Sequence, residues 1–290
     1  MRIECGTSGR HRYEIAGIEV VTDSAWGELE PFRTALSGAT RTESRQAVAD
    51  GALETRRTRS VLAGVEREVT AIWQANSVEL RCAGSRVEMA FDEDETIVRG
   101  STMRELDREL IAGPGLLLAL TAAGRLTLHA SAARVGSTTL LFAGHSGAGK
   151  STLARAFGTE ATADDLVAVD TESWQHWARL PQRKWPADRQ AGLPRASGGL
   201  AWLVLQGDRE IEGPALEPLP PAAAWKSWLE HTAASRLYSR DWQAHWLDHC
   251  AAAARSVPGF RLLVPWRPSE PDANSLRTAD FLRRRFADLR

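Results

Sequence analysis

Cysteine is scarce in this chain. The 290 residues hold three, Cys5, Cys82 and Cys250, an odd number set far apart and without the spacings of zinc or redox sites. A disulfide framework and a thiolate metal centre are therefore set aside, and the pattern fits reduced thiols in a cytosolic protein. Long apolar runs are missing too. The opening residues Met1 to Gly6 contain no apolar stretch of signal-peptide length, and no later run reaches the roughly 20 residues that span a bilayer. A cytoplasmic location and no membrane partner are the expectations. Neither sign of charge is in surplus: 36 Lys and Arg stand against 37 Asp and Glu, a net of −1, which argues against broad nucleic-acid binding. There is no low-complexity tract and no internal repeat. Only two tyrosines occur, but there are 11 tryptophans, mostly after position 170. Packing is their plainest role; a groove for a peptide or flexible substrate is the other.

The length suits one large domain or two modest ones. Residues 1–100 read as a β-rich N-terminal module. Arg12 to Thr22 and Val69 to Trp73 carry β-branched and aromatic residues, and Val78 to Phe91 alternates around Gly84-Ser85, which predicts a hairpin. Thr40 to Arg59 is charged and nearly devoid of large apolar residues, so a solvated loop is expected there. From residue 101 the pattern turns to mixed α/β. Ser101 can cap a helix with Met103, Leu106, Leu110 and Ile111 at helical spacing, and a second helical stretch follows Gly113-Pro114-Gly115 and ends at Gly124. Two β runs follow, Leu126 to Val135 and Thr138 to Ala143. Further on, Leu200 to Leu205 reads as a buried strand with a turn at Gln206 to Arg209. Helices are expected over Pro221 to Ser235, Asp241 to Ser256 and Ala273 to Leu289, with a short strand at Phe260 to Val264.

The strongest signal is Gly144-His145-Ser146-Gly147-Ala148-Gly149-Lys150-Ser151, which fits G-x-x-x-x-G-K-[ST]. Small residues at Gly144, Ser146, Gly147, Ala148 and Gly149 let the backbone wrap closely, so that successive N–H groups can point at phosphate oxygens. Lys150 is placed to reach the outer phosphates and the Ser151 hydroxyl to ligate Mg²⁺, with Thr152 next to them on the following helix. The context is the required one: a β run ends at the first glycine and an apolar helix opens at the lysine.

Fourteen positions after Lys150 come Asp164-Asp165, then the apolar Leu166-Val167-Ala168-Val169. A phosphate-bound Mg²⁺ takes carboxylate oxygens, and an acceptor hydroxyl benefits from a nearby base, so two aspartates one short helix after the loop can serve both needs. Alone, Asp-Asp is an unremarkable polar turn. His129, in the β run leading to the loop, would alone read as a core residue, and His145 falls at an x position of the motif and reads as incidental.

Taken together, His129, GHSGAGKST and TADDLVAVD resemble the HPr kinase/phosphorylase family, whose core is also similar to phosphoenolpyruvate carboxykinases. The likeness covers Leu126 to Asp170 and extends beyond only in general layout. It implies a P-loop kinase core over residues 101–290, preceded by the β-rich module, with ATP and Mg²⁺ as cofactors. Lys150 and Ser151 would serve nucleotide and metal, Asp164 would be the general base, and Asp165 and His129 would place the metal and the phosphates. Thr152 stands where that family carries an acidic residue, and no E-x-R-G-x-G segment is found, so HPr itself is not the expected acceptor. The chain looks more like the smaller HPr-kinase-like proteins, lasso-peptide serine kinases among them. That likeness implies transfer to a serine of a peptide or small protein, such as a ribosomally made peptide natural product, and it implies a homo-oligomer. Two other readings stay open: a nucleotide-binding regulatory or scaffold protein without kinase activity, and a kinase for a small metabolite.

Two basic stretches carry less. Arg179 to Arg189, with Trp185 between prolines, reads either as a phosphate clamp or as a solvated loop. Arg283-Arg284-Arg285 reads as a solvated helix face.

Overall fold

The computed structural model describes residues 2–4, 11–22, 26–34, 53–62, 64–91, 96–100, 104–178, 180–181, 185, 189–190, 199–265 and 270–287. Among these described residues the architecture is mixed α/β with three sheets, of eight, six and three strands, and the N-terminal region is β-rich. Two compact units share the chain: Met1–Ala123 with Ala234–His245, and Gly124–Ala233 with Trp246–Arg290. Among the described residues no helix is long and apolar enough to cross a membrane.

The first unit is built on β1 (Arg2–Glu4), β2 (His11–Ile15), β3 (Ile18–Thr22), β4 (Glu54–Leu62), β5 (Val65–Gln74), β6 (Ser77–Cys82), β7 (Ser85–Phe91) and β8 (Thr96–Gly100). They lie in the order β2-β3-β1-β8-β7-β6-β5-β4. The hairpin expected near Gly84 is β6–β7. Its turn residues Ala83 and Gly84 both take positive φ, 43° and 81°, the backbone twist that a two-residue hairpin turn requires. One expectation is corrected here. Part of the charged stretch read as a solvated loop is the edge strand β4, and residues 40–52 lie outside the described residues. Charge does not exclude a strand at a sheet edge. Residues of β4 alternate in burial, and Arg57 and Arg59 reach Glu68 and Glu66 on β5 at 3.9 and 3.3 Å.

Helices α1 (Glu105–Leu110) and α2 (Leu116–Ala122) are joined through a π-helical turn at Ile111–Gly115, so Gly-Pro-Gly widens the helix instead of ending it. Ser101 and Met103 lie outside the described residues. Buried Leu110, Ile111, Leu118 and Leu120 dock this stretch, and Gly115 lies against Met89 and Leu80 of the sheet. For that reason the first unit continues past the boundary expected near residue 100. Residues 234–245 complete it: Trp242 packs on Trp73 and Phe91 with ring centroids 4.6 and 4.8 Å away, and Trp73 Nε1 donates to the Leu237 carbonyl at 2.7 Å.

The second unit holds β9 (Arg125–Leu128), β10 (Ser131–Val135), β11 (Thr138–Ala143), α3 (Lys150–Ala156), β12 (Ala161–Asp164), β13 (Val167–Asp170), β14 (His176–Trp177), β15 (Leu200–Asp208), β16 (Ala215–Pro218), α4 (Pro221–His231), β17 (Gly259–Pro265) and α6 (Pro271–Phe286). Helix α5 (Arg240–Ser256) begins in the first unit and continues here from Trp246. Six strands run in the order β12-β10-β11-β15-β17-β16, and β14-β13-β9 form a small sheet of their own. At the centre, β11, β15 and β17 are parallel. Strands of this kind are buried on both faces and read as continuous apolar runs, which is why LAWLVL was legible. Even-numbered Phe142 of β11 and odd-numbered Leu203 of β15 pack with Leu153, Phe157 and Leu282 of one layer; Leu141 and Trp202 pack with Trp228 and Cys250 of the other.

Two further expectations are corrected. The run Leu126 to Val135 is not one strand: it breaks at His129-Ala130 and divides between the two sheets. Gln206 to Asp208 is not a turn, because these residues continue β15 and pair with Leu263, Val264 and Pro265. Tryptophans 26, 73, 185, 202 and 228 are buried, which is the packing role. Trp202 is fully buried, stacks on Trp228 at 4.3 Å and donates to Ser227 Oγ at 2.9 Å. Trp202→Ala is expected to lower the unfolding free energy by about 3–5 kcal/mol, read from urea denaturation against the parent protein.

Candidate functional site

The glycine loop leaves the carboxyl end of β11 and delivers the chain into α3. Three of its glycines take backbone angles that side chains avoid: φ is 150° at Gly144, 82° at Gly147 and 89° at Gly149. Gly144 is also closely packed, since a Cβ there would meet Ala148 Cβ at 3.1 Å and the Leu205 carbonyl at 3.3 Å. The loop is closed from inside. Lys150 Nζ donates to the Gly144 carbonyl at 2.6 Å and the His145 carbonyl at 3.1 Å, which holds the ammonium within the curve of the backbone. With seven residues, α3 is short, so the positive charge of the site comes from Lys150 far more than from the helix.

Opposite the loop, two strand breaks stand side by side. Leu128 pairs with Val167 in the small sheet, and Ser131 pairs with Asp164 in the large one. Between those registers His129-Ala130 faces Asp165-Leu166, because both chain segments change sheets at the same level. The β10–β12 ladder also shifts register between Ala132 and Ala133, an irregularity of the kind that re-aims side chains beside functional sites. Asp164 ends β12 and is buried; Asp165, one residue on, is exposed. The Ser151 hydroxyl points to the Asp164 carbonyl at 3.5 Å, which ties the loop to the aspartates.

His129 is open to solvent on one side and hemmed in by protein on the others. Loss of hydration pushes its pKa below the usual imidazole range; Asp165, by its charge and a backbone hydrogen bond, pulls the other way, and Lys150 adds to the lowering. The five residues His129, Lys150, Ser151, Asp164 and Asp165 are thus brought to one place within the second unit. Thr152 is turned away from them, toward a cavity on the far side of the loop. Of the two basic stretches, Trp185 is a core residue with Arg189 stacked over its ring at 4.0 Å, and most of the remainder lies outside the described residues. Arg283 does more than face solvent: its side chain bonds Glu160 at 2.8 Å and lies over the Phe157 ring.

No family model matches this chain, and no curated protein matches it.

His231 was missed by the sequence reading. It ends α4, and its carbonyl accepts the His129 N–H at 2.7 Å, while Ala233 N–H donates to the Thr127 carbonyl at 2.8 Å; this segment therefore runs along the end of β9. The His231 ring lies 6.3 Å from that of His145, centroid to centroid. Burial first, then the charge of Lys150, pushes its pKa down to about 4. Nothing in WLEHT announces this, since the link to the loop is made by backbone pairing of residues about a hundred positions apart in sequence. His145, read as incidental, is drawn into the same cluster.

The oxygen donors Ser151, Asp164 and Asp165 suit a hard cation such as Mg²⁺. Among the described residues no group of three or more His, Cys, Asp or Glu is arranged to hold a metal alone. A Mg²⁺ here would accordingly take most of its ligands from phosphate and water, its usual habit.

Two buried histidines set a pH dependence. His176 is fully buried, and neither ring nitrogen finds a hydrogen-bond partner among the described residues; burial takes it, like His231, down to about 4. An unfolded histidine titrates near 6.5, so between that value and 4 the unfolded state binds more protons, and stability falls as pH falls. Between pH 7 and pH 5 each ring is expected to remove about 2 kcal/mol. Urea denaturation at the two pH values measures the loss, and His176→Gln should recover roughly half of it. An equal loss in that variant would refute the assignment to His176.

Proposed function

We propose that the second unit is a P-loop kinase core that transfers the terminal phosphoryl group of Mg·ATP to a serine hydroxyl of a peptide or small protein. The observation that carries this reading is the meeting of three elements: a glycine loop at a parallel-strand end, the Lys150 ammonium inside it, and Asp164-Asp165 joined to it through Ser151. Phosphoryl transfer needs little covalent chemistry from the protein and much positioning and charge neutralisation, and these residues provide both.

Backbone N–H groups of Gly147 to Lys150 and the Lys150 ammonium grip the phosphates. Mg²⁺, when bound by Ser151 and Asp165, supplies further neutralisation of phosphate charge. Asp164 accepts the proton of the acceptor hydroxyl. The hydroxyl oxygen forms a bond to the γ-phosphorus while the bond from that phosphorus to the β,γ-bridging oxygen breaks, and ADP leaves with the electron pair. His129, held low in pKa and therefore neutral at physiological pH, orients phosphate oxygens by hydrogen bonding and leaves the charge balance unchanged. The likeness to HPr-kinase-like proteins supports the same assignment of roles and a cytoplasmic setting, and it favours a homo-oligomer.

Calorimetry and transfer from labelled ATP to serine-bearing peptides test this together. Lys150→Met is expected to weaken Mg·ATP binding by roughly 10- to 100-fold, the worth of a charged hydrogen bond. Asp164→Asn should keep nucleotide affinity within a few-fold and lower transfer by about 100-fold or more. Unchanged turnover in Asp164→Asn would point instead to a nucleotide-binding scaffold. Transfer to free serine in preference to any peptide would move the reading to a small-metabolite kinase.

A further inference from the structure

A buried hydroxyl stands opposite Asp164 and takes no part in holding the phosphates or the metal. Ser131 of β10 is fully buried, and its Oγ finds no hydrogen-bond partner among the described residues. A buried hydroxyl without a partner costs free energy, and native proteins keep few of them. We propose that Ser131 is a positioning residue for phosphoryl transfer: when the site is loaded, its hydroxyl donates to one carboxylate oxygen of Asp164 and leaves the other aimed at the acceptor. The inference rests on the kinase reading and adds to it the group that orients the base.

The ladders bring the two side chains together. Val135 pairs with Thr138 across the two residues Gly136 and Ser137, and the pair flanking such a turn is hydrogen-bonded. Counting back by twos, Ser131 spends its backbone N–H and C=O on Phe142 of β11. It therefore meets Asp164 of β12 as a non-hydrogen-bonded pair, the arrangement in which opposed side chains come closest, with Cα atoms about 4.5 Å apart. The Asp164 carbonyl is accordingly left for another donor, and the Ser151 hydroxyl points to it. Residues opposed across a ladder share a face of the sheet, so Ser131 and Asp164 point into the layer that holds Phe142, Ala133 and Leu153 of α3. Asp164 is buried there as well.

The chemistry suits the pairing. A hydroxyl can donate, a carboxylate can only accept, and a hydrogen bond to an ionised acceptor is about twice as strong as one between neutral groups. Serine re-aims its Oγ through a single side-chain torsion. During transfer the acceptor proton passes to the free oxygen of Asp164 while the acceptor oxygen bonds phosphorus; Ser131 keeps its own proton throughout. A neighbour supplies the contrast. Ala161 and Ala163 pair with Ala133 and Ala132, so Thr162 is the extra residue of the β12 irregularity and has no residue opposite it. Its buried Oγ1 also lacks a partner among the described residues, yet no ladder sets it against Asp164.

The test is transfer from labelled Mg·ATP to a serine-bearing peptide by the whole chain. Ser131→Ala is expected to lower kcat by roughly 10- to 100-fold while Mg·ATP affinity, read by calorimetry, stays within about twofold. Its urea midpoint should hold or rise, because the hydroxyl removed has no partner among the described residues. Ser131→Thr keeps a hydroxyl and should recover most of the rate. Thr162→Val removes the neighbouring hydroxyl and should leave the rate within about twofold. In an Asp164→Asn background no carboxylate remains to be aimed, so Ser131→Ala should cost less than about twofold more. An unchanged rate in Ser131→Ala, a folded Ser131→Thr that is equally slow, or a loss of the same size in Thr162→Val or in the Asp164→Asn background overturns the role of Ser131 and leaves the kinase reading standing. No transfer to any serine-bearing peptide by the folded parent protein overturns both together.

Discussion

The pairing of Ser131 with Asp164 governs the site. A strand partner can slip only in steps, and a slip of one residue would send every side chain of β12 to the other face. With the register as it stands, the end of β12 lies beside the start of α3, and Ser151 reaches the Asp164 carbonyl. The small sheet fixes the same level from the other direction through Leu128 and Val167. Two ladders therefore clamp the short interval in which both segments change sheets, and His129 and Asp165 lie within it. Polar groups concentrate where regular pairing is interrupted.

The electrostatics of that interval follow from crowding. Lys150 lies within influence of His129 and His231, and each imidazole is held below its ordinary pKa by lost hydration and by that ammonium. Rings in this state are neutral near pH 7 and offer hydrogen bonds without adding charge.

Much of this was legible in the sequence, and the reasons differ from element to element. The glycine loop was readable because positive φ at Gly144, Gly147 and Gly149 calls for glycine at fixed places in a short turn. The parallel core strand at Leu200 was readable because burial on both faces leaves only apolar residues. The β-rich character of the first hundred residues showed in its alternation, yet β4 was hidden, since an edge strand of arginines and glutamates carries no apolar signal. The sheet change at His129-Ala130 was hidden as well: both sides of the break are apolar and β-prone, and only long-range pairing distinguishes one bent strand from two. His231 was illegible for the same cause, because its neighbours in space are set by a ladder between distant segments.

The return of residues 234–245 to the first unit has a consequence for how the molecule comes into being. Trp73 and Phe91 are made early, and the ring that covers them, Trp242, is made about 150 residues later. A ribosome proceeds from the amino end, and domains ordinarily close as soon as their own residues have emerged. Here the aromatic centre of the first unit must wait until most of the second has been synthesised. The nascent chain thus carries an uncovered hydrophobic face through the greater part of its translation, and order of synthesis and order of closure run in opposite directions.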